Sequence, residues 1–141
     1  MASKVFADAN LLLDVNLRRA NYDAAIAVLQ HSIDGDIQLY TTPAVLHITA
    51  YFTAQAYSSE HTKKIILTLL NDVQIIDCDH ATAIAALNSS FDDTEDALQY
   101  YTALKFGIDY FISTDKKLKK AAIPQLPVYS PAQLLAELNP E

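Results

Sequence analysis

Short apolar runs alternate with stretches of helical period from one end of the chain to the other, and this alternation constrains the fold more than any other feature. KVFAD (4–8), IQLYTT (37–42), VQIID (73–77), IDYFIST (108–114) and LPVYS (126–130) have the length and residue types of strands. Between them lie segments with helical spacing, among them ANYDAAIAVLQHSIDG, SSEHTKKIILTLLNDV, DHATAIAALNSS and TEDALQYYTALKFG, with PAQLLAEL at the end. Gly35 and Gly107 stand where helices should stop, and Pro43 where one should start. Most gaps between strand runs hold enough residues for a crossover helix. The pattern therefore predicts an α/β fold with a parallel sheet covered on both faces. Residues 43–71 carry two helices in succession and read as a helical hairpin on one edge.

Composition bounds the rest. A chain of 141 residues with 51% apolar and 19% charged residues fits one globular domain over 1–141. It has no apolar run long enough to span a membrane, and its N-terminus does not read as a signal peptide. One cysteine, Cys78, excludes an internal disulfide framework and fits a reducing cytoplasm. The net charge of −7 is the wrong sign for holding nucleic acid by bulk electrostatics, but it does not exclude a metal enzyme.

The acids carry the chemistry. FDDTEDALQYY gathers Asp92, Asp93, Glu95 and Asp96 at the mouth of a half-apolar helix. Asp92 with Glu95 matches a capping box, which assigns that pair to the helix end. Asp93 and Asp96 share a face, and Asp96 borders Ala97, Tyr100 and Leu104, so it should be partly buried. Asp8 closes the first strand and Asp115 the fourth, and ligands in open parallel sheets bind at such carboxyl ends. Carboxylates converging there repel, and a hard divalent cation relieves the repulsion. Such ions polarise phosphoryl oxygens and activate water, which is phosphodiester chemistry. The helix opening at residue 93 would have to begin at that same rim, a geometry the sequence leaves open. Singly, Asp8 also reads as a turn residue and Asp115 as a cap for DKKLKK.

FADANLLLD, DDTEDALQYYTALKFGIDYFISTDKKLKK and VYSPAQLL, in that order and spanning nearly the whole chain, resemble the PIN-domain family, and most of all its VapC-toxin-like bacterial members. The resemblance implies a three-layer α/β/α fold around a mostly parallel five-stranded sheet. It implies a ribonuclease site dependent on Mg2+ or Mn2+, with Asp8, Asp96 and Asp115 as catalytic and metal-holding acids and Asp93 as a further metal ligand. Asn10 and Thr114 match polar residues that support those acids. Many relatives carry a fourth acid on the helix after the second strand. Here that helix reads TTPAVLHITAYF, with His47 at about that position and no acid.

Two functions follow as expectations. One is a cytoplasmic metal-dependent endoribonuclease, the toxin component of a toxin–antitoxin pair, with RNA as substrate, an antitoxin protein as partner and a homodimer as a further option. The other is a PIN-fold binding module with weak or no catalysis. The run KKLKK offers Lys116 and Lys117 to RNA phosphates beside Asp115, or is simply a solvated helix face. Cys78, His31, His61 and His80 show no metal-ligand or nucleophile spacing.

Overall fold

The computed structural model describes residues 2–139. Its elements run β1 (Ser3–Ala7), α1 (Ala9–Leu17), α2 (Tyr22–Ile33), β2 (Ile37–Thr41), α3 (Pro43–Ala56), α4 (Ser59–Leu69), β3 (Val73–Ile75), α5 (His80–Leu87), α6 (Thr94–Lys105), β4 (Tyr110–Ile112), α7 (Lys116–Ala121), β5 (Val128–Tyr129) and α8 (Pro131–Leu138). The five strands form one sheet in the order β3-β2-β1-β4-β5. Every pairing is parallel. The α/β architecture with a five-stranded sheet is as expected, and the sheet is wholly parallel.

The strands are apolar without alternation because both faces are covered. Val5, Phe6 and Ala7 point alternately to opposite faces, and all three are fully buried. Phe6 stacks on its cross-strand partner Phe111 at 4.7 Å between ring centroids. Tyr100 of α6 packs on the same Phe111. Its buried hydroxyl donates to the carbonyl of Leu126 at 2.6 Å and accepts the N–H of Ile123 at 2.9 Å. That hydroxyl ties α6 to the segment leading into β5.

Within the 43–71 region, α3 lies along α1, and the buried Asn16 amide donates to Thr53 Oγ1 at 3.2 Å. Thr49 and Thr53 satisfy their hydroxyls on carbonyls one turn back, so this face can be buried without orphaned groups.

The orientation of α6 follows from its neighbour. Lys105, at the foot of α6, pairs with Asp79, which caps the head of α5, so the two helices run antiparallel. α5 climbs back to the carboxyl end of the sheet, and α6 then descends from it. Gly107, with φ of 79°, takes the left-handed position after α6 and lets the Ile108 N–H return to the Ala103 carbonyl. Among the described residues no helix is long and apolar enough to cross a membrane.

Candidate active site

Strand order reverses between β1 and β4. The chain goes from β1 outward to β2 and β3, then returns to the other side of β1 for β4 and β5. The crevice beyond the carboxyl ends of β1 and β4 is where such a sheet binds ligands. Ala7 is in register with Ile112, so the next residues, Asp8 and Ser113, leave the sheet side by side. Thr41 at the end of β2 braces the spot by donating to the Ala7 carbonyl at 2.9 Å.

Three of the four acids at this rim head a helix. Asp8 caps α1, its Oδ1 accepting from Leu11 N–H at 3.0 Å. Asp115 caps α7, with Oδ1 accepting from Lys117 at 2.9 Å and Leu118 at 3.3 Å. Asp93 caps α6 through the Asp96 N–H at 2.9 Å. Capping and ligand binding are therefore not alternatives here. The cap engages one carboxylate oxygen and leaves the second outside the helix's own hydrogen bonds. Asp96, one turn into α6, is no cap, and it lies near enough to Asp115 for that carboxyl to raise its pKa.

The electrostatics record the crowding. Burial pushes the Asp8 pKa up to about 7, and the negative charges of Asp14 and Asp96 add to the rise. The Leu11 N–H and the Ser113 hydroxyl pull against it. Asp96 is raised to about 6, first by burial, then by Asp93, Asp115 and Glu95. Asp93, Asp96 and Asp115 line a pocket of about 410 Å³ together with Phe91 and Lys117, and Asp8 lies outside that lining, beside Ser113 at the end of β1.

The structure thus brings Asp8, Asp93, Asp96 and Asp115 to one rim. The cap of α6 is Asp93 and not Asp92, so the expected Asp92–Glu95 capping box does not form. Asp92 is exposed at the pocket's edge. Ser113, not Thr114, supports the acids. Thr114 is exposed, whereas Ser113 is buried, lies against Asp8 and accepts the Asp115 N–H at 3.1 Å. Asn10 is held by Arg19. Lys117 lines the acid pocket, and Lys116 is exposed on the same helix. His47 is exposed and faces elsewhere, into a groove with Tyr51, Ala54, Thr62 and Lys63 between α3 and α4. Sequence reading missed Ser113 and also Gln99, which is buried one turn below Asp96 and takes a hydrogen bond from the α3 cap Thr42. Strand register would have found Ser113, since it falls opposite Asp8.

Among the described residues no three His, Cys, Asp or Glu side chains close on one point as a ready-made metal cluster. The donor chemistry still suits a hard cation. All four rim groups are carboxylates, and two are driven toward protonation by burial and mutual repulsion, the condition that a divalent cation reverses.

Comparison with known proteins agrees with this fold. A family model described as PIN domain matches residues 4–117. Among solved structures, VapBC2 from Rickettsia felis bound to a DNA fragment from their promoter is 14% identical, with TM-score 0.68 over 90% of this chain and 98% of that one. PAE2754 from Pyrobaculum aerophilum is 15% identical, with TM-score 0.67 over 100% of both chains. Mycobacterium tuberculosis VapC20, a sarcin–ricin loop cleaving toxin, is 13% identical, with TM-score 0.65 over 86% of this chain and 97% of that one. Among curated proteins nothing matches the sequence.

Proposed function

The chain belongs to the PIN-domain family, and on that premise we propose that it is a metal-dependent endoribonuclease acting as the toxin half of a toxin–antitoxin pair. The observation that carries this reading is the row of Asp8, Asp96 and Asp115 along one rim at the strand-order reversal, with Asp96 near enough to both neighbours to feel their charge and with Asp8 and Asp96 held well above the ordinary carboxylate range. The likeness to VapBC2 and to VapC20, the sarcin–ricin loop cleaving toxin, supports the substrate class and the partner.

In this reading Asp8, Asp96 and Asp115 hold a magnesium or manganese ion, with Asp93 adding charge beside Asp96. Such an ion, when bound, polarises a phosphoryl oxygen and lowers the pKa of water. The chain's own part is to fix the ligands. The α1 and α7 caps set the carboxylates of Asp8 and Asp115, Ser113 braces both, and Lys117 offers a cation to a phosphate entering the pocket. An antitoxin segment has a surface to cover, an apolar groove of about 530 Å³ between α2 and α4 that includes Ile26, Leu29, Ile33, Tyr57 and Leu69. The test is cleavage of single-stranded RNA with added Mn2+ or Mg2+. Cutting should stop with EDTA and with Asp96→Asn. Equal cutting by Asp96→Asn would place the activity elsewhere.

One observation favours a second reading, a binding module with little catalysis. α3 carries no acid, and His47 looks away from the rim. RNA bound but never cut under any divalent cation would select it.

A further inference from the structure

Arg19 follows α1, which leads from β1 toward β2, whereas Lys117 stands on α7, which leads from β4 to β5 on the other side of β1. Arg18 ends α1 in the left-handed conformation, with φ of 50°, unusual for a residue with a long side chain. Both Arg18 and Arg19 return their N–H groups to the Asp14 carbonyl, and that turn sends the Arg19 side chain back along α1. Its Nε donates to the buried Asp14 carboxylate at 2.8 Å. Its Nη2 donates to both the carbonyl and the Oδ1 of Asn10, each at 3.2 Å. Asn10 sits two residues after Asp8, in the first turn of the helix that Asp8 caps, and Asp14 is near enough to raise the Asp8 pKa. The guanidinium is therefore fixed within about one helical turn of the rim.

The fixing is one-sided. Among the described residues nothing accepts from Arg19 Nη1, and the side chain stays 40% exposed. With Asn10 Oδ1 turned to Arg19, the amide Nδ2 is left without a partner among the described residues, on an exposed residue. Two donor groups thus stand together, already oriented, at the edge of a site that otherwise repels anions. A planar guanidinium with free N–H donors is the group best matched to a phosphate.

We propose that Arg19 and Asn10 form a fork that seats a backbone phosphate of the RNA next to the bond to be cut, opposite the lysines of α7. The acids alone would repel the strand, and a cation on each flank would lay it across them. This inference rests on the nuclease reading of the rim, and its test separates the two. Arg19→Ala alone would leave Asp14 buried without its partner, so the informative variant pairs Arg19→Ala with Asp14→Asn. RNA affinity is read by fluorescence anisotropy over a salt series in an Asp96→Asn background, and KM and kcat by cleavage without that background. The double variant should bind about tenfold more weakly, with a salt slope lower by about one, as one phosphate contact predicts. KM should rise beyond that of the single Asp14→Asn variant, which reads separately what the lost charge beside Asp8 does to kcat. Arg19→Lys should keep the slope and lose part of the affinity, since lysine keeps the charge and not the fork. Wild-type KM, affinity and slope in the double variant would overturn the fork and leave the nuclease standing. Conversely, a wild type that binds RNA without cutting overturns the nuclease, while a slope difference between variants still supports the fork.

Discussion

The hydroxyl of Ser113 lies against the carboxylate of Asp8 and also accepts the backbone N–H of Asp115 at 3.1 Å. One small side chain thus braces the acids that end two adjacent strands. Ser113→Ala removes a hydrogen bond that holds the Asp8 pKa down, so that pKa should rise further. The loss of a buried hydrogen bond should cost about 1 kcal/mol. Apparent manganese affinity, titrated by calorimetry at several pH values, should then need a higher pH to reach its plateau. Ser113→Thr, which keeps the hydroxyl, should restore the wild-type profile. An unchanged profile in Ser113→Ala would assign the residue to packing alone.

Asp8 makes the metal-free protein less stable as pH rises. Its folded pKa of about 7 lies above the unfolded value of 3.8. Between those values the folded state binds the extra proton, so the Asp8 contribution falls as pH climbs from about 4 to 7 and is flat beyond. Asp96, at about 6, contributes in the same direction over a narrower window. Asp8→Asn should flatten the melting-temperature profile recorded in EDTA and melt higher than wild type above pH 7. A variant that tracks the wild type across this range would show that Asp8 ionises freely.

A divalent cation should reverse that slope. It binds the carboxylates in their ionised form and stabilises the folded state by mass action. The manganese-induced rise in melting temperature should therefore be larger at pH 8 than at pH 5, and smaller in Asp8→Asn and Asp96→Asn. A rise equal at both pH values would point to a site away from the rim.

His47 lines a groove with residues of α4 and is not among the residues of the acid pocket. Neither His47→Ala nor His47→Glu should change manganese or magnesium affinity at the rim, and each should alter stability by less than about 0.5 kcal/mol, as exposed substitutions do. Tighter magnesium binding in His47→Glu would mean that α3 can turn this position toward the acids.

The fold class was legible because its cause is local. A strand buried on both faces has to be apolar throughout, and helices have to alternate with such strands. Asp8 and Asp115 were legible for the same reason, as polar residues at the ends of buried runs. What stayed hidden depends on partners distant in sequence. The rim start of α6 follows from its antiparallel packing on α5, fastened by Lys105 and Asp79. Whether Ser113 or Thr114 faces Asp8 follows from the pairing of Ala7 with Ile112. The outward turn of His47 follows from Val45, Thr49 and Thr53 taking the buried face of α3.

The last hidden choice, between Asp92 and Asp93 as the α6 cap, is open to direct test. Two adjacent aspartates offer two helix starts, and the Tyr100 hydroxyl, fixed between Leu126 and Ile123, sets where α6 stands. Asp93 accepts the Asp96 N–H and is also the largest charge acting to raise the Asp96 pKa, after burial. Asp93→Ala should therefore cost about 1 kcal/mol for the lost cap. Asp93→Asn keeps a good cap and removes the repulsion, so at pH 7 it should melt no lower than wild type, and Asp96 should titrate at a lower pH in carboxyl-carbon NMR. Asp92→Ala removes an exposed carboxylate that caps nothing and should stay within about 0.5 kcal/mol of wild type. Equal losses in Asp92→Ala and Asp93→Ala would mean that both helix starts are populated in solution, and a loss in Asp92→Ala alone that α6 starts one residue earlier; either outcome would overturn the division of labour among these acids.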